Sequence, residues 1–241
     1  MLTSATPNGR YIGIKSDGKF HEKVDEGTEG AVLRKYELKD GTKGEKWELL
    51  YRSIEKVRIT KIEFETGDFG ENILTTFSDG KDEVTWSEGT GTNFGTDYMK
   101  KLPNVDFSYP VAVMPYAFED ERGKERRGVS IYQNGDKITN FFWDSEAGTT
   151  CNGFPQPEGD KELYDSDDWK VYFIGVRKFL VAFIKENVVP KVRAAEPKEW
   201  PIAEEIEGEK FDKTPVPGKT YASSNPSLDQ GEEIRPEDVP F

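Results

Sequence analysis

Between about residue 10 and residue 145 the apolar positions fall in short runs that alternate with polar ones, the period-two signature of half-buried strands. The runs predict strands over Arg10–Lys15, Ala31–Leu38, Lys46–Ile54, Val57–Glu65, Asn72–Ser78, Glu83–Ser87, Val111–Phe118, Gly128–Gln133 and Ile138–Trp143. Between them stand turn formers: Ser16-Asp17-Gly18, Asp40-Gly41, Ser78-Asp79-Gly80 and Asn134-Gly135. Many short strands at close spacing imply a barrel or a sandwich. One run breaks the rule. In Val57–Glu65 the apolar positions are odd at Val57 and Ile59 and even at Ile62 and Phe64. A regular pleat cannot switch faces, so either an extra residue near Thr60-Lys61 bulges or the segment is an edge strand with an imperfect pattern. Bent strands of this kind turn the corners of small barrels, and the five-stranded OB-fold is the small barrel most used for oligonucleotides.

Two segments change period. Phe94, Tyr98 and Leu102 recur every four residues, with Asn93 as a candidate cap and Pro103 as the stop, which predicts a short helix. Trp169, Tyr172, Phe173, Val176, Leu180, Phe183, Ile184 and Val188 follow a cap at Asp165 or Ser166 and predict a longer helix that ends before Pro190. Beyond Pro190 the chain holds seven basic and twelve acidic residues, seven prolines and few large apolar side chains. Such a stretch cannot bury enough apolar surface to offset its ordering entropy. The expected architecture is therefore mainly β: an OB-fold-like barrel with added helices over residues 1–189, followed by a disordered acidic tail over 190–241.

Charge and composition narrow the function classes. The formal net charge is −13, with 46 acidic and 33 basic side chains. A passive duplex-coating protein would be basic, so that class is disfavoured, whereas a single-strand binder needs basic charge only in its groove and gains affinity from rings. Rings are plentiful, at 15 Phe, 10 Tyr and 5 Trp. Cys151 is the sole cysteine and His21 the sole histidine, which excludes an internal disulfide and a Cys/His zinc site. No phosphate-binding loop, dinucleotide fingerprint, zinc-protease helix or serine elbow is present, and no cofactor, metal or catalytic residue is expected. The N-terminal residues carry no signal-peptide pattern, and Arg177 and Lys178 interrupt the longest apolar run, Val171 to Ile184. Those features imply no membrane association and a cytoplasmic location.

The cations cluster against the overall charge. Arg122, Lys124, Arg126 and Arg127 fall within six positions between two predicted strands, Lys100 and Lys101 end the first helix, and Lys56, Arg58 and Lys61 lie on the bent strand. Trp47 and Tyr51 share one strand face, Trp86 lies on another strand, and Tyr132 follows the basic loop. Groove binding of a single strand pairs such cations, for phosphates, with rings, for bases, so these thirteen residues are the candidate nucleic-acid contacts.

The chain finishes on Glu237, Asp238, Val239, Pro240 and Phe241. An acidic peptide that runs into Pro-Phe can place a ring in a partner's pocket while its carboxylates steer the approach. This ending resembles the acidic tip of bacterial and phage single-stranded DNA-binding proteins. The stretch from Lys101 to Phe107 and on through Gly128 to Gly135 is similar to phage members of that family in its arrangement of strands and loops. Arg235 and a sparser acidic content depart from the family's pattern. The resemblance implies a phage-encoded protein of DNA replication or recombination, without enzymatic activity, acting in the host cytoplasm. It would coat single strands through its body and recruit replication or recombination proteins through Glu237–Phe241. The competing expectations are a virion or β-sandwich interaction module, whose rings are core, and an acidic mimic of DNA.

Overall fold

A computed structural model describes residues 9–37, 41–67 and 70–198. In chain order the strands are β1 (Arg10–Ile14), β2 (Phe20–Val24), β3 (Val32–Glu37), β4 (Lys43–Tyr51), β5 (Ile54–Gly67), β6 (Gly70–Ser78), β7 (Glu83–Gly89), β8 (Val111–Glu119), β9 (Glu125–Gln133), β10 (Asp136–Lys137), β11 (Trp143–Asp144) and β12 (Thr149–Thr150). The helices are α1 (Asn93–Lys101), α2 (Ser166–Phe183) and α3 (Val189–Ala194), and a π-helical turn, Ile184–Val188, joins the last two. Ten strands form one mixed sheet in the order β10-β9-β8-β5-β6-β7-β1-β2-β4-β3, and β11 pairs with β12 alone.

β5 is the hinge of the sheet. Ile54 and Val57 pair with β8, whereas Arg58 through Gly67 pair with β6. The expected bulge is present: the register with β6 slips between Ile59 and Lys61, and the Thr60 hydroxyl donates to the Thr76 carbonyl at 3.2 Å. A second irregularity lies at Lys56, which takes a left-handed φ of 56° where the register with β8 shifts between Ile54 and Val57. Both devices let Val57, Ile59, Ile62 and Ile73 point into one core.

The expected closed barrel does not form. The ladder is open, with β3 at one edge and β10 and β9 at the other. The reason lies in α1, which packs along β9. Thr92 caps α1 by accepting from the Gly95 N–H at 2.9 Å, and a Cβ on Gly95 would overlap the Gly89 carbonyl oxygen. That close approach brings Asp97 and Lys101 to the edge of β9. There Asp97 accepts from the Val129 N–H at 2.7 Å and Lys101 donates to the Val129 carbonyl at 2.6 Å. Helix side chains thus satisfy backbone groups that a closing strand would take. Val129 sits opposite Pro115, whose missing N–H faces away from β9, so the pair loses nothing. The tip of the β1–β2 turn also meets β8: Gly18 has φ 66°, and a Cβ there would overlap the Ala117 nitrogen.

The inner face is covered by α1, α2 and the chain after it. Trp86 lies edge-on to Phe20 at 5.7 Å and to Tyr98 at 4.6 Å, and Lys185 stands 4.8 Å over the Phe64 ring while pairing with Glu71 at 2.8 Å. α2 opens with a full capping box between Asp165 and Asp168, so of the two expected caps Asp165 is the one used.

Three sequence expectations need correction. Ile138–Trp143 is not a strand: Phe141 and Phe142 both reach the Phe183 ring, at 5.6 and 5.1 Å, which consecutive strand residues cannot do. A turn pinned by Asn140, whose side-chain oxygen accepts from Phe142 N–H at 2.9 Å, replaces it. β2 was not anticipated, because Phe20 and Val24 are its only apolar residues; pairing with both β1 and β4 makes it a strand. The folded body also runs past Pro190. That proline occupies the first turn of α3, where a missing N–H costs nothing, and Val192 is buried. Arg58 donates to the Lys198 carbonyl at 2.7 Å, tying residue 198 back to β5. Among the described residues no helix is long and apolar enough to cross a membrane.

Candidate nucleic-acid interface

β8 is apolar on both faces. Val111, Val113 and Pro115 point inward and are buried. Met114, Tyr116 and Phe118 occupy the other parity, and Phe118 is 56% exposed. Opposite them on β9 stand Ser130, Gly128 and Arg126 in turn, and Ala112 faces Tyr132. The Tyr116 and Phe118 rings lie 5.8 Å apart, and Tyr116 extends over Gly128, where any Cβ would overlap its hydroxyl. Burial, followed by the nearby Asp97 carboxylate, pushes the Tyr116 phenol up to about 12, so it stays neutral and hydrogen-bonding at physiological pH. By register, Ala112 lies between Tyr132 and the Lys56 irregularity of β5, which continues this outer surface across two sheet neighbours.

The turn joining β8 to β9 is built on Asp120. Its Oδ1 accepts from the N–H groups of Arg122 and Lys124, each at 3.0 Å, and its Oδ2 accepts from Arg126 Nε at 2.9 Å. Those backbone and guanidinium donors hold the Asp120 carboxyl below the usual carboxylate range, the Lys124 amide contributing most. The Arg122 side chain is exposed at the tip, and Asp120 leaves the two terminal nitrogens of Arg126 unused. A preorganised loop with cationic donors therefore borders a ring pair, the half-buried Tyr116 and the exposed Phe118.

The other sequence candidates scatter. Arg127 follows Arg126 on the opposite face of the pleat, mostly buried, with its Nη2 2.8 Å from Glu125. Trp86 is 1% exposed and Lys101 7%, so neither can touch a ligand without opening the core. Tyr51 donates to Glu22 at 2.7 Å, and Glu22 is also gripped by Arg10 through two bonds of 2.7 Å. Trp47 lies half-buried on the same inner face of β4, paired with Val24 and Leu33. Lys61 is exposed on β5 but pairs with Glu63 at 2.8 Å, and Arg58 is held by Lys198. Lys100 belongs to a separate pocket on the far side of α1. Of the thirteen candidates, Arg122, Lys124 and Arg126 are therefore brought together at the β8–β9 turn, with Tyr132 on the same face at the other end of β9 and Lys56 at the margin. Glu237 to Phe241 lie outside the described residues.

Sequence reasoning missed Met114, Tyr116 and Phe118. A signal was available: Val-Ala-Val-Met-Pro-Tyr-Ala-Phe carries large apolar groups at both parities, so one face must be covered by another element or stand open. The outer faces of β6 and β7 are different in character, with Thr76 and Thr85 hydroxyls 3.2 Å apart and one exposed ring, Tyr11, on β1 beside them.

His21 also proves to be a structural group. Its Nδ1 is 2.8 Å from Glu48 and its Nε2 3.0 Å from Asp17, so both ring nitrogens are occupied inside a cluster that includes Lys46 and Arg34. Among the described residues no group of His, Cys, Asp and Glu has the makings of a metal site.

Comparison of the chain with family models, with curated proteins and with solved structures finds no match in any of the three.

Proposed function

We propose that the protein binds single-stranded DNA across the outer face of β8 and β9 and has a non-enzymatic role in replication or recombination. Phe118 carries the reading: a ring more than half exposed, packed beside Tyr116 and directly opposite Arg126. Bases stack on the rings while Arg126, Arg122 and Lys124 take successive phosphates, the division of labour that single-strand grooves use. Strand order supports it too. The meander β5–β6–β7, then α1, then β8 beside β5 with β9 hairpinned to it, follows the connectivity of an OB-fold whose closing contact is taken over by a helix. The β8–β9 turn then corresponds to one of the two loops with which that fold grips oligonucleotides. In the same reading Glu237 to Phe241 recruit partner proteins, and the place of action is the cytoplasm of a phage-infected cell.

The apolar row of exposed Met114 and Phe118 with half-buried Tyr116 between them also suits a second reading, a protein-docking face. Titration of oligo(dT) and of a duplex of equal length at several salt concentrations separates the two. Preference for the single strand, with affinity falling as salt rises, supports DNA binding. No binding to either at low salt overturns it, and Phe241→Ala in a pull-down of replication proteins tests the terminal segment.

A further inference from the structure

On the far side of α1 a second cavity of about 230 Å³ opens between the end of that helix, the β11–β12 hairpin, the loop after it and the first turns of α2. Its chemistry runs against that of the chain. Although the protein carries 46 carboxylates, no Asp or Glu lines this cavity, whereas Lys100 and Lys161 both do. Its walls include the rings of Trp143, Phe154, Trp169 and Tyr172. Three of these rings, Phe154, Trp169 and Tyr172, are fixed before any ligand arrives. Phe154 packs on Phe142 at 5.4 Å and on Phe179 at 5.9 Å; Trp169 lies 5.8 Å from Tyr172, whose hydroxyl donates to the Pro155 carbonyl at 3.1 Å.

Lys100 is the informative side chain. Its ammonium stands 5.2 Å over the Phe154 ring and makes no hydrogen bond or ion pair with any described residue. Asp97, the carboxylate whose field it feels, is already committed to Lys101 at 2.6 Å and to the Val129 amide at 2.7 Å. Burial, reinforced by Lys101, pushes Lys100 below the usual lysine range. An ammonium half-withdrawn from water without an acceptor is destabilised, and an entering anion would relieve it. Phosphate alone would leave the four rings unused, and an uncharged ring would leave Lys100 unsatisfied. A planar ring joined to phosphate satisfies both. The volume falls below the roughly 300–1,000 Å³ of pockets for larger ligands, which restricts the occupant to a single base.

We infer that this cavity is a mononucleotide-binding pocket, with Trp143 and its neighbouring rings holding one base and Lys100 and Lys161 its phosphate. The occupant is a free nucleotide or the phosphorylated end of a strand. The pocket shares no residue with the β8–β9 face, so the inference does not rest on that reading.

Isothermal calorimetry on the full chain tests it, with dTMP, dAMP, thymidine and inorganic phosphate as probes. Saturable binding of dTMP or dAMP is expected, with thymidine and phosphate each at least about tenfold weaker. Lys100→Gln is expected to lose at least about tenfold in nucleotide affinity while retaining the wild-type melting temperature. Trp143→Leu, on an exposed two-residue strand, should lose affinity as well and guards against a folding effect of the first variant. Phe118→Ala should leave dTMP binding unchanged, which separates this pocket from the strand-binding face. Competition against dTMP by short oligo(dT) with and without a 5′-phosphate distinguishes the sources: success of the phosphorylated oligomer alone assigns a strand end, and failure of both assigns a free nucleotide. Absence of saturable binding by either nucleotide overturns the inference, as does equal binding by phosphate alone or undiminished binding in folded Lys100→Gln.

Discussion

Lys101 donates from Nζ to the carbonyl oxygen of Val129 at 2.6 Å, so a helix side chain completes the hydrogen bonding of a strand edge. Asp97, one helical turn earlier, takes the N–H of the same residue and also pairs with Lys101 at 2.6 Å. The three groups form a closed set in which each residue bonds to both of the others. That set joins α1 to β9 and leaves the outer face of β8–β9 open.

Removal of Lys101 strands both the Asp97 carboxylate and the Val129 carbonyl. Lys101→Met is therefore expected to cost about 3 kcal/mol, the scale of breaking a buried pair from one side. Asp97→Asn should cost less, and the double variant less than the sum, because the two residues share one network. Urea unfolding followed by circular dichroism measures all three.

Trp86 and Phe118 should behave in opposite ways. Trp86→Ala empties a site between Phe20 and Tyr98 and is expected to cost about 3–5 kcal/mol. Phe118→Ala removes a ring already more than half in water, so stability should change by no more than about 0.5 kcal/mol. Oligo(dT) affinity should nonetheless fall by about 1–3 kcal/mol on loss of a stacking platform. Paired melting curves and fluorescence titrations check both halves.

Arg126 and Arg127 are neighbours in sequence but face opposite sides of the sheet, since Arg126 stands across from Phe118 and Arg127 across from Ala117. Arg126→Ala should make the salt dependence of single-strand binding shallower by about 0.7 in the log–log slope, the value of one lost phosphate contact. Arg127→Ala should leave the slope as it is. Binding isotherms at four salt concentrations suffice.

Glu88 offers a pH test. Burial pushes its carboxyl up to about 7, against the opposing hydrogen bonds from the Thr92 hydroxyl at 2.7 Å and Trp86 Nε1 at 3.3 Å. The folded state therefore holds this proton more tightly than the unfolded chain, whose carboxyl titrates near 4.5. Stability from this group is full below that lower value and declines as pH rises through 7, by on the order of 2–3 kcal/mol in total. Glu88→Gln should remove that decline, so thermal melts of the two proteins at pH 5 and at pH 8 should converge at the lower pH and diverge in favour of Gln at the higher.

Much of the local structure was legible in the residues alone. The odd-to-even switch around Thr60 pointed to the bulge, the spacing from Trp169 onward announced α2, and Asp165 stood as one of two candidate caps at its start. Each is a short-range constraint, written in a period or a cap, with few physical solutions. What alternation cannot state is which of a strand's two faces another element will cover. Trp86 and Phe118 both sit on strands the sequence predicts, and only the packing of α1 across β7 and β9 turned Trp86 into core and left Phe118 facing water. The same helix decided that the sheet stays open, because Asp97 and Lys101, 32 and 28 residues from Val129, reached its edge. Lys100 and Lys101 were adjacent cations with equal claims until the helical turn sent one to a strand edge and the other to an aromatic pocket. Residues close in sequence set the elements; contacts between residues far apart chose the faces, and the candidate chemistry lies on the faces.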